Sequence, residues 1–366
     1  MQAYKKRGFW VGLGVFFLVI LSPSPESLSP IGWAVAAVTL LMAIWWATEA
    51  VPVAVTALLP LALFPLLQVT DFKAAALPYA NPNIYLFMGG FILALGIESS
   101  GLHKRLALKM LILVGNSGAK LVGGFMLVSA VISMWVMNTS TTLMLLPIGL
   151  AVCASVAETI PNFSAKQRKN FETSLLLGIA YAASIGGMST LVGTAPNIIF
   201  AAFMLETYGI EISFIDWMKL GVPIASIMLV ASWYTITKFV YPVNFVASME
   251  TKLQLRNMLT DLGPLGRDEK KVLVIFLFAA GAWMFRTLLD NFVPLSGLTD
   301  AGIAILAALS FFFIPSENNK TDLLTWEQAN KLPWGLLVLF GGGLSLAASI
   351  GSSGLGSWIG QGLTIL

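Results

Sequence analysis

Leu86-Phe87-Met88-Gly89-Gly90-Phe91-Ile92-Leu93-Ala94-Leu95-Gly96-Ile97-Glu98-Ser99-Ser100-Gly101-Leu102 recurs 253 residues later, without gaps. The second copy is Leu339-Phe340-Gly341-Gly342-Gly343-Leu344-Ser345-Leu346-Ala347-Ala348-Ser349-Ile350-Gly351-Ser352-Ser353-Gly354-Leu355. Eleven of 17 positions are identical, and the closing Ser-Ser-Gly-Leu is matched in full. Two Gly- and Leu-rich helices rarely agree so far by chance, so the pair is read as an internal repeat, and a repeat sets the architecture of everything around it.

Composition fixes the class. Of 366 residues, 57% are hydrophobic and 11% charged, against roughly 25% charged in a soluble domain. That excludes a soluble enzyme, a nucleic-acid binder and a disordered tail, and points to an all-α polytopic membrane protein in a lipid bilayer. The net charge of +3 implies no polyanionic partner. The single cysteine, Cys153, forms no internal disulfide, and the single histidine, His103, excludes sites built on two histidines.

Charge-free runs mark the crossings. Lys5, Lys6 and Arg7 precede the first. Ser22-Pro23-Ser24-Pro25 is a poor cleavage site, so a retained first helix is expected, with a cytoplasmic N-terminus. Expected spans at 9–21, 30–48, 52–67 and 84–101 put His103, Lys104, Arg105 and Lys109 inside. The loop 242–271, with Lys252, Arg256, Arg267, Lys270 and Lys271, is inside too, provided that 121–157 returns to its side of entry and that 173–205 and 218–240 each cross once. Charge bias does not separate a re-entrant hairpin from two full crossings. Further spans at 272–290 and 298–315 then make the second copy of the repeat run in-to-out, where the first runs out-to-in. Inverted repeats are a signature of secondary transporters, whose site lies at the repeat interface near the midplane. The offset puts the counterpart of Asn138 near position 391, past Leu366, so a truncated second half is expected.

Two apolar runs carry polar breaks. As one helix, 121–157 would be about 55 Å long against a hydrocarbon core of about 30 Å, so it must fold back. The interruption is expected at Asn138-Thr139-Ser140-Thr141-Thr142. Polar side chains at membrane depth must face protein or a watery cavity. A hairpin tip there offers helix N-terminal donors to an anion and carbonyls to a cation, with Ser133 adding a hydroxyl. The bland alternative is Ser/Thr packing between helices. The run 173–205 is broken by Gly186-Gly187 and Gly193-Thr194-Ala195-Pro196-Asn197. A plain proline kink is its alternative, but two breaks on neighbouring elements support each other.

Single ionisable residues weigh less. Glu49 is read as an interfacial cap, and His103 as interfacial rather than a switch. Glu98 has Gly351 at its repeat position, so symmetry gives it no site role. Arg286, near a span end, is expected to snorkel.

Trp46-Ala47-Thr48-Glu49-Ala50-Val51-Pro52, Ser133-Met134-Trp135-Val136-Met137-Asn138-Thr139 and Gly193-Thr194-Ala195-Pro196-Asn197 together resemble the divalent anion–sodium symporter family, over essentially the whole chain. The resemblance implies inverted repeats, a dimerising scaffold and a mobile transport domain with re-entrant hairpins, in which 121–157 is the inner hairpin, 173–205 a broken helix and 102–118 a surface arm. It also implies Asn138, Thr139 and Thr194 as substrate contacts, and Ser133, Asn138 and Gly193 for sodium. Met137 stands where the family has a tip serine; its carbonyl remains available to sodium, but a hydroxyl is lost.

The expected division is 1–118 scaffold spans and arm, 119–206 transport domain, 207–241 a transport-domain span, 242–271 a cytoplasmic loop, and 272–366 the scaffold part of a second repeat that lacks its hairpin. The expected function is elevator-type secondary transport of small dianions, C4-dicarboxylates such as succinate, malate or fumarate. Na+ is the co-transported ion, and the protein is a homodimer in a bacterial inner membrane. Sulfate or citrate transport, and dicarboxylate exchange without sodium, remain alternatives on the same fold. Intramembrane zinc proteolysis is excluded by the lone histidine.

Overall fold

The computed structural model describes every residue except 1–2, 114, 116, 161–162, 247–248, 290–296, 318–320 and 364–366. The described residues form helices joined by turns and short loops, with only two isolated β-bridges among them, Ser117 with Val246 and Pro315 with Asp322. In chain order the helices are α1 (Ala3–Leu21), α2 (Pro30–Thr48), α3 (Val53–Thr56), α4 (Leu59–Leu66), α5 (Phe72–Ala76) and α6 (Pro82–Ser99), with a 3-10 turn Leu77–Ala80 before α6. Next come α7 (Leu102–Ile112), α8 (Gly118–Ser133), α9 (Asn138–Thr159), α10 (Ala165–Gly187), α11 (Ala195–Tyr208) and α12 (Phe214–Tyr234), the last running on as a π-helix, Thr235–Val240. The remainder are α13 (Met249–Asp261), α14 (Arg267–Met284), α15 (Arg286–Leu289), α16 (Asp300–Phe313), α17 (Trp326–Ala329), α18 (Trp334–Ser352) and α19 (Leu355–Leu363).

Among the described residues, five helical stretches are long and apolar enough to cross a membrane: Pro30–Thr48, Phe72–Ser99, Asn138–Thr159, Phe214–Val240 and Trp334–Ser352. Expected spans at 30–48, 84–101 and 218–240 coincide with helices. The expected crossing at 52–67 does not hold as one helix. It is interrupted at Ala57–Leu58 into α3 and α4, and there Tyr79 Oη donates to the Ala57 carbonyl at 2.5 Å. The segment 242–271, expected as a loop, contains the 13-residue α13 and the first turn of α14.

The repeat is visible in the backbone. Gly101 and Gly354 both adopt positive φ, +77° and +79°, and each separates a long helix from a shorter one, α6 from α7 and α18 from α19. Glycine reaches this left-handed conformation without the Cβ clash other residues meet. A short capped helix also precedes each copy: Asp71 accepts from Ala74 N–H before α5, and Thr325 accepts from Gln328 N–H before α17.

The chain divides into two compact units. The first comprises 1–85, 199–211 and 333–366. Its core is the α1–α2 pair, where Phe9 stacks on Trp45 at 5.2 Å and Val35, Val38, Leu41 and Met42 are fully buried. Glu49 closes α2 as its left-handed C-cap (φ 45°), and Lys5 pairs with it at 2.8 Å. The expected capping role fits. The second unit comprises 86–198 and 212–332. Its centre is the packing of α8 on α10. There Ser129 Oγ donates to the Ile179 carbonyl at 2.8 Å, and a Cβ on Gly186 would collide with the Ala130 backbone.

In this second unit the expected surface arm is buried along one face, and the expectation for Arg286 is corrected. α7 is not a merely superficial arm: His103, Arg105, Ala107, Leu108 and Leu111 are buried. Burial holds the His103 imidazole below its usual pKa, and its Nδ1 lies 3.0 Å from the Ile97 carbonyl, so it stays neutral near pH 7 rather than acting as a switch. Arg286 does not snorkel; it is paired with Asp300 at 3.2 Å, because Asp300 opens α16 within reach.

Candidate functional site

The fold-back in 121–157 lies four residues earlier than the polar run suggested. α8 ends at Ser133, the turn is Met134-Trp135-Val136-Met137, and Asn138 to Thr142 form the first turn of α9. Met137 is the N-cap, with extended backbone and no side-chain cap, and its carbonyl accepts from Thr141 N–H at 2.9 Å. A helix start without a side-chain cap leaves its leading N–H groups to solvent or ligand. The polar run is therefore the first turn of a helix rather than a loop, and a helix N-terminus of this kind has the chemistry to receive an anion.

Three of the expected residues are brought together. Ser133 Oγ donates to Asn138 Oδ1 at 2.7 Å. Gly187 ends α10 against the same carboxamide: a Cβ there would sit 2.5 Å from Asn138 Oδ1 and 3.2 Å from the Gly193 carbonyl oxygen. Asn138 Oδ1 and Gly193 O thus flank the space that Gly187 keeps open. Ser133 is fully buried and Asn138 half-buried. The carbonyl of Met137 carries one helical bond and keeps a second lone pair. Thr139 is exposed and Thr194 half-buried, and among the described residues neither hydroxyl makes a hydrogen bond.

The break between α10 and α11 (188–194) is held by Asn197 of the quoted motif together with Thr190 and Trp217, which carried no sequence signal. Thr190 Oγ1 donates to the Met134 carbonyl, tying the break to the hairpin turn, and accepts from Gly193 N–H at 3.1 Å. Asn197 Nδ2 donates to the carbonyls of Gly187 and Thr190 at 2.9 and 2.7 Å. Trp217 Nε1 donates to the Met188 carbonyl at 2.9 Å. Backbone groups freed by the break are thus re-satisfied by side chains, as unwound segments at membrane depth require. Glu98, set aside on symmetry, reaches this region: Ser140 Oγ donates to its Oε2 at 2.7 Å. The repeat gives no sign of this contact, because Gly351 has no side chain to reproduce it.

The arrangement has oxygen donors for a monovalent cation and N–H and hydroxyl donors for an anion. Among the described residues, no group of three His, Cys, Asp or Glu side chains could hold a tighter metal. The family described as "Sodium:sulfate symporter transmembrane region" matches residues 7–366. This chain belongs to that family. It is an integral membrane transporter, not an enzyme, and the sequence resemblance to divalent anion–sodium symporters holds. The sodium-dependent dicarboxylate transporter SdcS of Staphylococcus saprophyticus is 38% identical over 367 residues, covering 98% of this chain and 70% of that protein. SdcS of Staphylococcus aureus strain USA300 is 38% identical over 365 residues, with the same coverage.

Proposed function

We propose that this protein is a sodium-coupled carrier of C4-dicarboxylates such as succinate, malate and fumarate. The observation that carries the reading is the meeting of Ser133, Asn138 and Gly193 around Gly187, in a chain 38% identical to a sodium-dependent dicarboxylate transporter. Sodium is a co-substrate. It takes oxygens from Ser133, Asn138, Gly193 and the Met137 carbonyl, while Asn138, Thr139, Thr194 and the α9 N-terminus hold one carboxylate. A charge at the bilayer midplane costs several kcal/mol, about 2.5–3.5 at the least, and the cation offsets part of it.

In this reading 119–206 and the span at 207–241 travel as a transport domain with 121–157 as a re-entrant hairpin. The scaffold, 1–118 with 272–366, forms a homodimer in an inner membrane, N-terminus inside. The two repeat copies are inverted.

Counterflow uptake of labelled succinate into proteoliposomes by the full-length protein tests the function. Sodium-stimulated uptake, competed by malate and fumarate, is expected. Uptake of sulfate or citrate alone would move the substrate assignment, and no uptake of any of them would sink the carrier reading. Gly187→Ala puts a methyl against Asn138 Oδ1 and is expected to raise the sodium half-saturation more than about tenfold, equivalent to about 1.4 kcal/mol. An unchanged sodium dependence would remove Gly187 from the ion site.

A further inference from the structure

Trp135 occupies the middle of the four-residue hairpin turn, and its surroundings are more elaborate than a packing contact needs. Its ring lies parallel to Phe214 (5.8 Å, 20°) and to Trp283 (6.3 Å, 12°), with Phe276 edge-on (4.9 Å, 90°). Phe214 and Trp283 are themselves stacked at 4.6 Å and 10°, and both are fully buried. Each is keyed to one residue, Asp300. Phe214 N–H donates to Asp300 Oδ2 at 2.8 Å, Trp283 Nε1 donates to the Asp300 carbonyl at 3.0 Å, and Arg286 Nη1 stands 3.2 Å from Oδ2. Phe214 opens α12, Asp300 opens α16, and Trp283 lies in the last turn of α14, so three helix ends share one anchor.

The N–H groups of Met134, Trp135 and Val136 still donate back into the end of α8, to the carbonyls of Ala130 and Ile132, which ties the turn to that helix alone. Beyond that helix, it is held at Met134 by Thr190, and at Trp135 by the aromatic platform. Three residues beyond Trp135 the chain enters α9, with Asn138 at its first position. The orientation of the indole plane therefore sets where the Asn138 carboxamide points. Offset-stacked and edge-to-face rings have preferred geometries, so the platform specifies an angle as well as excluding water.

We propose that the Phe214–Trp283 platform, keyed by Asp300, is a positioning device for the binding tip. Through Trp135 it holds the turn in the shape in which Ser133 and Asn138 face each other. It sets ligand affinity rather than the speed of the carrier's movement, and Trp135 is a positioning residue that touches neither ion nor anion. The inference rests on the site lying at this tip, as proposed above.

The test uses the full-length carrier in proteoliposomes, with sodium and succinate as probes. Trp135→Ala is expected to raise both half-saturation concentrations about tenfold while the maximal rate stays within about twofold. Trp135→Phe, which keeps a stacking plane, restores both to within about threefold of the parent. Trp135→Leu fills the volume without a plane and guards against misfolding of the alanine variant; it is expected to show the affinity loss. A second readout is independent of transport. The sodium concentration that half-maximally raises the melting temperature of the purified protein shifts upward in Trp135→Ala and Trp135→Leu. A purely structural role would lower the melting temperature and leave that midpoint in place, which overturns the proposal. Parental half-saturation in Trp135→Leu alongside an inactive Asn138→Ala overturns the platform and leaves the site standing. An active Asn138→Ala overturns both.

Discussion

Asn138→Ala is expected to abolish sodium-driven dicarboxylate uptake, by at least about 100-fold, while the protein still folds and reaches the membrane. The size follows from the double use of one side chain. Its Oδ1 accepts from Ser133 at 2.7 Å and borders the gap left by Gly187, where the cation is proposed to sit. Its position at the start of α9 puts it beside the leading N–H groups proposed for the carboxylate. A hydrogen bond to a charged partner contributes about 1.5–3 kcal/mol, and the alanine loses one to each ligand. The truncation leaves Ser133 able to turn to the Val136 carbonyl, at 3.4 Å, so folding loses little. Asn138→Asp separates the two ligands. A carboxylate keeps the oxygen for sodium and places a negative charge against the dianion. Sodium-dependent thermal stabilisation should survive in this variant while succinate uptake does not. Parental transport by Asn138→Ala would end the site assignment.

Much of this site was legible in the sequence because it depends on local chemistry. Gly186-Gly187 and Ala195-Pro196-Asn197 bracket the break, which runs between Gly187 at the end of α10 and Ala195 at the start of α11; it is their combination that signals it, since Gly89-Gly90 and Gly341-Gly342-Gly343 sit inside unbroken helices. The repeat was legible because a left-handed glycine recurs at the same place in both copies. The exact fold-back was not. Polarity drew attention to Asn138–Thr142, but polar residues that favour helix starts sit at the first turn of α9, and the turn before it is built from Met134, Trp135, Val136 and Met137. Those residues look like membrane interior until the partners of Trp135, up to 148 residues away, are known. Thr190, Glu98 and Arg105 were missed for the same reason. Their roles lie in partners distant in the chain, at Met134, Ser140 and Glu269, and no periodicity reports such a contact.

Arg105→Met should be the most destabilising single change outside the site, because of what it leaves behind. Arg105 and Glu269 pair at 2.8 Å with side chains only 7% and 10% exposed. The guanidinium also donates to the carbonyls of Leu262, Gly263 and Pro264, fastening α7 to the turn between α13 and α14. Removing one partner of a buried pair costs about 3–5 kcal/mol, because the other charge stays buried and unpaired. Burial pushes the Glu269 carboxyl up, but its hydrogen bonds to Arg105 and Gly266 N–H outweigh it and hold the group below the usual carboxylate range. A carboxyl with a depressed folded pKa contributes stability that is complete above its unfolded value and is lost as pH falls through the folded one. Acid should therefore loosen this clasp below the ordinary carboxylate range, and Glu269→Gln should flatten that part of the pH profile. Glu269→Gln keeps a carbonyl oxygen for Gly266 N–H, so it is expected to cost less than Arg105→Met. The double variant Arg105→Met/Glu269→Gln should be more stable than Arg105→Met alone, since the orphaned charge is gone. Melting temperatures of the four proteins at pH 7 and pH 4 decide it. If the double variant is no more stable than Arg105→Met, the carbonyl contacts and not the ion pair hold α7 in place.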